Sequence, residues 1–299
     1  MKVFLTGATG FIGTAVAREL IDAGHTVLGV ARTHDGAQAL VRNGVEPHLG
    51  DLTDHDSFIS GARLCDAVVH CAFIHDFSRF AENIEIEQKT VTAMLDALAG
   101  SETAFIATSG IAMLAPGRMA TEDDQPQRWG RGATEAMVLE AAERGLRTAV
   151  IRLPPITHDS GNGGFLGALV AIARQTGVAA FIGDGGNRWP AGHRLDAARL
   201  YRLALERGEP GKAYMAVGDE GLPMRDIAGA IGRRLGLPTA SVSAEAAVDH
   251  FGWLGMFAGV DMPASSQLTG ERLGWLPTHA RLIEDIETCA ALGGPQPPS

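Results

Sequence analysis

Lysine and tyrosine are scarce in this chain of 299 residues. There are three lysines, Lys2, Lys89 and Lys212, and two tyrosines, Tyr201 and Tyr214. Basic residues number 25 against 35 acidic ones, a formal net charge of −10. Nucleic acids and anionic membranes bind through a basic face, so this balance argues against both as partners and leaves room only for a local basic pocket. Cysteine is nearly absent as well. Cys65, Cys71 and Cys289, with no C-x-x-C pair, make neither a disulfide framework nor a zinc site, and no metal is expected. No uninterrupted apolar run reaches the ~18 residues that a membrane-spanning helix needs. The opening MKVFLTGATG enters a motif at once and leaves no room for a cleavable signal. A cytoplasmic protein is expected.

What is present is the composition of an ordinary globular protein, 45% hydrophobic and 20% charged. The length suits one domain with an appended lobe. Short β-rich runs alternate with helical patterns over the first half. KVFLT, HTVLGVA, VEPHLGD, DAVVHCAF, TAFIATSG and RTAVIRLP read as six strands. FIGTAVARELIDAG, DGAQALVRNG, residues 80–98 and a stretch beginning within RWGRGATE and running to 143 read as helices between them. Such alternation predicts an α/β fold, a doubly wound parallel sheet of Rossmann type with right-handed connections. Beyond residue 153 the rhythm loosens. Helices are expected near 164–176 and 193–206 and over MRDIAGAIGRRLG and HARLIEDIETCAAL, with a strand near KAYMAVG. PPITHDSGNGG and IGDGGNRWPAGH read as loops. The expected division is a dinucleotide-binding core at 1–153, a segment at 154–292 that completes the sheet and forms a substrate-binding lobe, and a disordered tail at 293–299.

TGATGFIG places Gly7, Gly10 and Gly13 between the first strand and the first helix, with Thr6, Phe11 and Ile12 beside them. One glycine permits a tight turn, the next lets backbone approach a diphosphate, and the third lets helix pack on strand. The helix end then offers free N–H groups to the anion. The strand-then-helix context is what makes the motif specific. Its spacing is G-x-x-G-x-x-G. With GDL at Gly50–Leu52, VVHCAF after the fourth strand, ATSG after the fifth, RLP at Arg152–Pro154, HRLDAARLYRLAL from His193 and ERLGWLP from Glu271, the chain resembles the short-chain dehydrogenase/reductase superfamily, in particular its extended and atypical members, the NAD-dependent epimerase/dehydratase-like proteins.

The resemblance implies that Asp51 and Leu52 contact adenine, that Cys71, Ala72 and Phe73 flank the ribose and nicotinamide, that Pro154, Pro155 and Ile156 touch the nicotinamide amide, and that Ser109 stands as the catalytic serine. For Asp51 the alternative is a helix N-cap. Pairing through the helices at 80–98 and 129–144 into a homodimer is a further family expectation. Many NAD-using relatives carry an acidic residue at the end of the second strand. Here stand Arg32 and Thr33. A guanidinium and a hydroxyl suit a ribose 2′-phosphate, so NADP(H) is expected over NAD(H). Asp35, farther on, is expected to cap the next helix.

The resembled family uses a Tyr to donate the proton and a Lys one helical turn later to lower its pKa and hold the ribose. Neither tyrosine of this chain precedes a lysine by four, and no lysine lies near the site. RWGRGATE puts Arg131 in the Tyr slot and Glu135 in the Lys slot. Arg131 stays protonated, so its expected role is to stabilise an oxyanion or hold a carboxylate. Glu135 would hydrogen-bond the ribose. The alternative is an ordinary i,i+4 ion pair between the two. His75, with Asp76, lies just past the fourth strand and is the candidate proton donor. His158 is a weaker candidate, and His193 reads as structural. Trp189 and Met113 are candidate pocket residues, and Trp253, Met256 and Phe257 a candidate apolar lid or simple core. The expected activity is hydride transfer between NADP(H) and a small, partly apolar carbonyl, alcohol, imine or conjugated substrate. The alternatives are a catalytically silent redox sensor and a sugar-nucleotide epimerase or dehydratase.

Overall fold

The computed structural model describes residues 1–76, 79–159 and 164–292. The expected tail at 293–299, and part of the expected loop PPITHDSGNGG, lie outside the described residues.

The first half alternates as its pattern predicts: β1 (Lys2–Thr6), α1 (Phe11–Asp22), β2 (Thr26–Ala31), α2 (His34–Arg42), β3 (Glu46–Leu49), α3 (His55–Arg63), β4 (Ala67–His70), α4 (Phe80–Ala97), β5 (Ala104–Gly110), α5 (Arg131–Glu140) and β6 (Arg147–Leu153). The second half adds β7 (Ile156–His158), α6 (Gly164–Thr176), β8 (Ala179–Ile182), β9 (Arg188–His193), α7 (Arg194–Arg207), β10 (Lys212–Met215), β11 (Asp219–Pro223), α8 (Met224–Leu235), β12 (Thr239–Val242), α9 (Ala247–Phe251), α10 (Gly255–Ala258), α11 (Gln267–Leu273) and α12 (Leu282–Thr288). Ala141–Arg144 continue helix α5 for four residues as a 3-10 turn.

Among the described residues the central sheet has seven parallel strands in the order β10-β6-β5-β4-β1-β2-β3. Strand alternation decides which helices cover which face. Val3 and Leu5 of β1 face α1 and α7, while Phe4 between them faces the layer of α3, α4 and α5. Each such side chain, fully buried, contributes about 1.5–3 kcal/mol. Both faces are therefore apolar, and the strands read as near-continuous hydrophobic runs. Helix α7 packs along α1 and carries the chain to β10. The sheet is thus completed from beyond residue 153.

The lobe holds two small sheets, β11-β9-β7 and β12-β8, around a second core that includes Trp189, Met224, Ile227 and Phe251. Here the sequence reading needs correction. IGDGGNRWPAGH was expected to be loop, but residues 188–193 form β9 at the centre of a three-stranded sheet. The run is short and Pro- and Gly-bearing, so its strand character comes from the partners on both sides. Phe165 packs against Trp189, Trp253 and Phe257. Trp253 and Phe257 are therefore tied to the lobe core, while Met256 faces solvent.

Candidate active site

The first turn of α1 is built for an anion. Gly7 has φ 67°, and a Cβ there would lie 2.8 Å from the Cys71 carbonyl carbon. A Cβ on Gly13 would lie 2.0 Å from Gly7 O, which no side chain can relieve because both partners are backbone. Gly10 donates its N–H to Gly7 O at 2.9 Å and closes the turn. No side chain caps α1 and no acid stands in its first turn, so the helix end keeps its N–H groups and positive dipole for a ligand. These residues fit a dinucleotide diphosphate.

Beneath the turn, Thr6 Oγ1 accepts the N–H groups of Cys71 and Ala72, each at 3.1 Å. With both lone pairs in use, its proton goes to His70 Nδ1 at 2.9 Å. His70 Nε2 then carries the imidazole hydrogen, buried and without a hydrogen-bond partner among the described residues. Burial and the charge of Arg131 push His70 down to about 3, so it is neutral at working pH.

At the ends of β2 and β3, Arg32 is exposed. Thr33 Oγ1 accepts from Gly36 N at 3.1 Å and caps α2; Asp35, the expected cap, sits in the first turn instead. Asp54 caps α3, so Asp51 is not the cap. Asp51 accepts from Thr53 N and Thr53 Oγ1 at 2.9 and 2.7 Å. Those bonds, and then the charge of Arg32, hold its carboxyl below the usual range. The charge of Arg32, at the end of β2, thus reaches Asp51 beyond the end of β3. Leu52 is buried in the core below them.

At the carboxyl edge of β4 and β5 the structure decides against the alternative of an i,i+4 ion pair. Arg131 and Glu135 do not pair. Arg131 Nη2 donates to Glu87 of α4 at 2.9 Å and to Thr108 O at 3.0 Å, and its guanidinium lies 4.3 Å above the Phe73 ring. Its side chain is 24% exposed, whereas Glu87 is 1% exposed. Burial raises the Glu87 carboxyl; Arg131 opposes that. Glu135 turns the other way, to Arg152 Nε at 2.7 Å and to Ser109 Oγ at 2.6 Å. Arg152 spends its remaining donors on Thr121 O, Glu122 O and Asp124 O. The choice follows from magnitude. An exposed i,i+4 pair contributes a few tenths of a kcal/mol. A buried guanidinium left without its counter-ion costs about 3–5 kcal/mol. Ser109, 4% exposed, is committed to this network. Ser109, expected as the catalytic serine, and Glu135, expected at the ribose, bond here to each other and to Arg152, and so brace β5, α5, β6 and the 121–124 loop.

A tyrosine does reach this edge from far along the chain. The Tyr201 hydroxyl on α7 lies 2.6 Å from Thr108 Oγ1, which donates to His70 O at 2.7 Å. Cys71, pushed up to about 11 by burial, joins the same cluster. With Thr108 donating to His70 O, the tyrosine donates to Thr108. Burial drives the phenol well above its ordinary value. Tyr201 pins β4 and β5 to α7 and is no stand-in for the missing acid.

His75 is exposed, edge-on to Phe73 at 5.2 Å between ring centres. Desolvation, then the charge of Arg131, lower its pKa. Of the residues expected at the nicotinamide amide, Ile156 is buried in the lobe core and Pro154 is buried as well, leaving Pro155 half-buried. His158 is paired with Asp285 at 2.8 Å in the interior. His193 Nδ1 accepts Leu195 N–H and caps α7, the structural role expected. Trp189 is fully buried, its indole N–H on Val260 O at 3.2 Å, and so belongs to the core. Met113, past the end of β5, holds φ 66°, the one non-glycine with positive φ among the described residues.

The sequence reading missed Glu87. Its signal was present: Ile84, Glu87, Val91 and Leu95 share one helical face, and a carboxylate on an apolar stripe demands a partner. Tyr201 and Arg194 left no comparable local signal.

The NAD dependent epimerase/dehydratase profile matches residues 3–217. The uncharacterized protein C2A9.02 of Schizosaccharomyces pombe is 44% identical over 97% of this chain and 99% of its own length. A 2-alkyl-3-oxoalkanoate reductase of Stenotrophomonas maltophilia is 28% identical over 80% of this chain and 77% of its own. In fold, the chain is similar to DesIV, a dTDP-glucose 4,6-dehydratase of Streptomyces venezuelae with NAD and TYD bound. The TM-score is 0.78 at 18% identity, covering 98% of this chain and 96% of that one. With the glycine cradle, the seven-stranded parallel sheet and this match over most of its length, the chain belongs to the NAD dependent epimerase/dehydratase family.

Proposed function

We propose that the chain is an NADP(H)-dependent oxidoreductase moving a hydride to or from a small, partly apolar carbonyl, alcohol, imine or conjugated substrate. The nicotinamide would supply the hydride chemistry. The chain's own residues bind, orient and polarise. Gly7, Gly10 and the first turn of α1 hold the diphosphate. Arg32 meets the adenosine ribose, and its charge favours a 2′-phosphate. Arg131 carries this reading. It is a fixed, partly exposed cation on the Phe73 ring, at the edge of the sheet where ligands of such folds collect. There it would stabilise charge developing on a substrate oxygen without itself donating a proton. His75, edge-on to the Phe73 ring, is the titratable group that would supply one. The similarity to a 2-alkyl-3-oxoalkanoate reductase supports reduction of a ketone.

One observation favours a second reading, a silent dinucleotide-binding protein: Ser109 is occupied by Glu135. The test is calorimetric titration with NADPH and NADH, followed by NADPH consumption against a panel of ketones, 3-oxo acids, imines and enones. Turnover of any one that falls in Arg131→Met supports the oxidoreductase. Tight cofactor binding with no turnover of anything supports the silent reading.

A further inference from the structure

Arg194 opens α7 immediately beside the opening of α1. Its Nη1 donates to Phe11 O at 3.2 Å, and its guanidinium lies 4.7 Å over the Phe11 ring. Phe11 is the first residue of the helix whose N–H groups would hold the diphosphate. The helix end offers only about half a positive charge, against the two negative charges of a dinucleotide diphosphate. No acidic or basic residue of the first turn adds to it, and Arg32 stands at the far, adenosine end.

Arg194 spends its donors differently from Arg152 and Arg188. Arg152, the buried brace, places Nε and both Nη atoms on acceptors. Arg188 makes a two-point contact with Asp261 through Nε and Nη2. Arg194 has a single carboxylate contact, Nη2 to Asp159 Oδ2 at 2.5 Å, and its Nε is buried with no hydrogen-bond partner. Its side chain keeps one quarter of its surface open. A guanidinium with unspent donors beside an anion cradle is arranged to receive a second anion.

We infer that Arg194 is the cation that meets the cofactor diphosphate, and that Asp159 is the carboxylate the diphosphate displaces or shares. The inference rests on the dinucleotide reading above. It makes the pair asymmetric. Arg194 favours the cofactor, while Asp159, a carboxylate beside the same cation, opposes it.

The test uses titration calorimetry on the full chain with NADPH and NADH, and with adenosine 2′-monophosphate, which has the adenosine end and no diphosphate. Melting curves run alongside. Arg194→Gln should weaken dinucleotide binding about 10–100-fold, the span of one charge-assisted contact, and leave adenosine 2′-monophosphate unchanged. Arg194→Lys should recover part of the loss. Asp159→Asn should tighten dinucleotide binding by about 3–10-fold, because a repelled charge has gone. A brace holding α7 to the β7 end predicts otherwise: both substitutions weaken every ligand alike and lower the melting temperature together. That result overturns the inference, as does unchanged dinucleotide affinity in Arg194→Gln. A wild type that binds no dinucleotide at all overturns the dinucleotide reading itself.

Discussion

Replacing Arg131 by Met removes the cation paired with a carboxylate that is 1% exposed. Glu87 then has two choices, to stay charged in the interior or to take up a proton. The second sets the ceiling on the cost. A carboxyl of ordinary value 4.5, forced neutral at pH 7, costs ~1.36 kcal/mol for each of ~2.5 pH units, about 3.4 kcal/mol in all. Arg131 is 24% exposed, so water entering the vacated space reduces this figure. At pH 5 the same reasoning leaves only about 0.7 kcal/mol. The sign is definite. In the variant the folded-state pKa of Glu87 lies above its unfolded value, so the folded chain binds the extra proton. Its stability is retained at low pH and lost as pH rises through the folded value. The melting deficit of Arg131→Met should therefore grow from about a degree at pH 5 to several degrees at pH 7. Adding Glu87→Gln should abolish the pH dependence. A deficit equal at both pH values would refute the assignment of Glu87 as the buried partner. The same variant reports on chemistry. If Arg131 acts as an oxyanion donor, single-turnover hydride transfer should slow about 10²–10³-fold, with Arg131→Lys between the two. An unchanged rate would leave Arg131 as nothing more than the counter-ion of Glu87.

Three further outcomes are expected. Arg32→Ala should weaken NADPH binding by about 1.5–3 kcal/mol and barely touch NADH; equal wild-type affinity for the two cofactors in calorimetry would dismiss the 2′-phosphate role. If His75 donates the proton, kcat should fall as pH rises through a value below the ordinary 6.5 of histidine, because desolvation and Arg131 lower its pKa. His75→Gln should remove that limb and slow turnover about 10²-fold, and an unaltered pH profile would return the role to water or substrate. Ser109→Ala should cost about 1.5–3 kcal/mol of stability through the lost bond to Glu135, with turnover per folded molecule nearly unchanged; a collapse of kcat without a change in melting would restore the serine to catalysis.

The alternation of six strands and the glycine spacing were enough, in the sequence, to establish the α/β sheet and the place of the cofactor turn. Those signals are local. They come from side-chain periodicity and from backbone that only glycine can adopt, as at Gly7 and Gly13. The absence of a tyrosine and lysine at 131 and 135 was equally plain. What stands in their place was not. Arg131 and Glu135 are spaced so that they could pair, and the sequence left that open as the alternative to separate roles. Only the packed fold shows two buried charges, Glu87 and Arg152, that must be neutralised first and so draw the two side chains apart. Tyr201 and Arg194 reach the site from α7, 93 and 183 residues along the chain from the Thr108 and Phe11 they contact, separations that no local spacing encodes. β9 likewise exists only because β7 and β11 flank it. Local sequence determined the backbone of the site. Burial, which assigns each charge its partner by cost, was decided by tertiary structure alone.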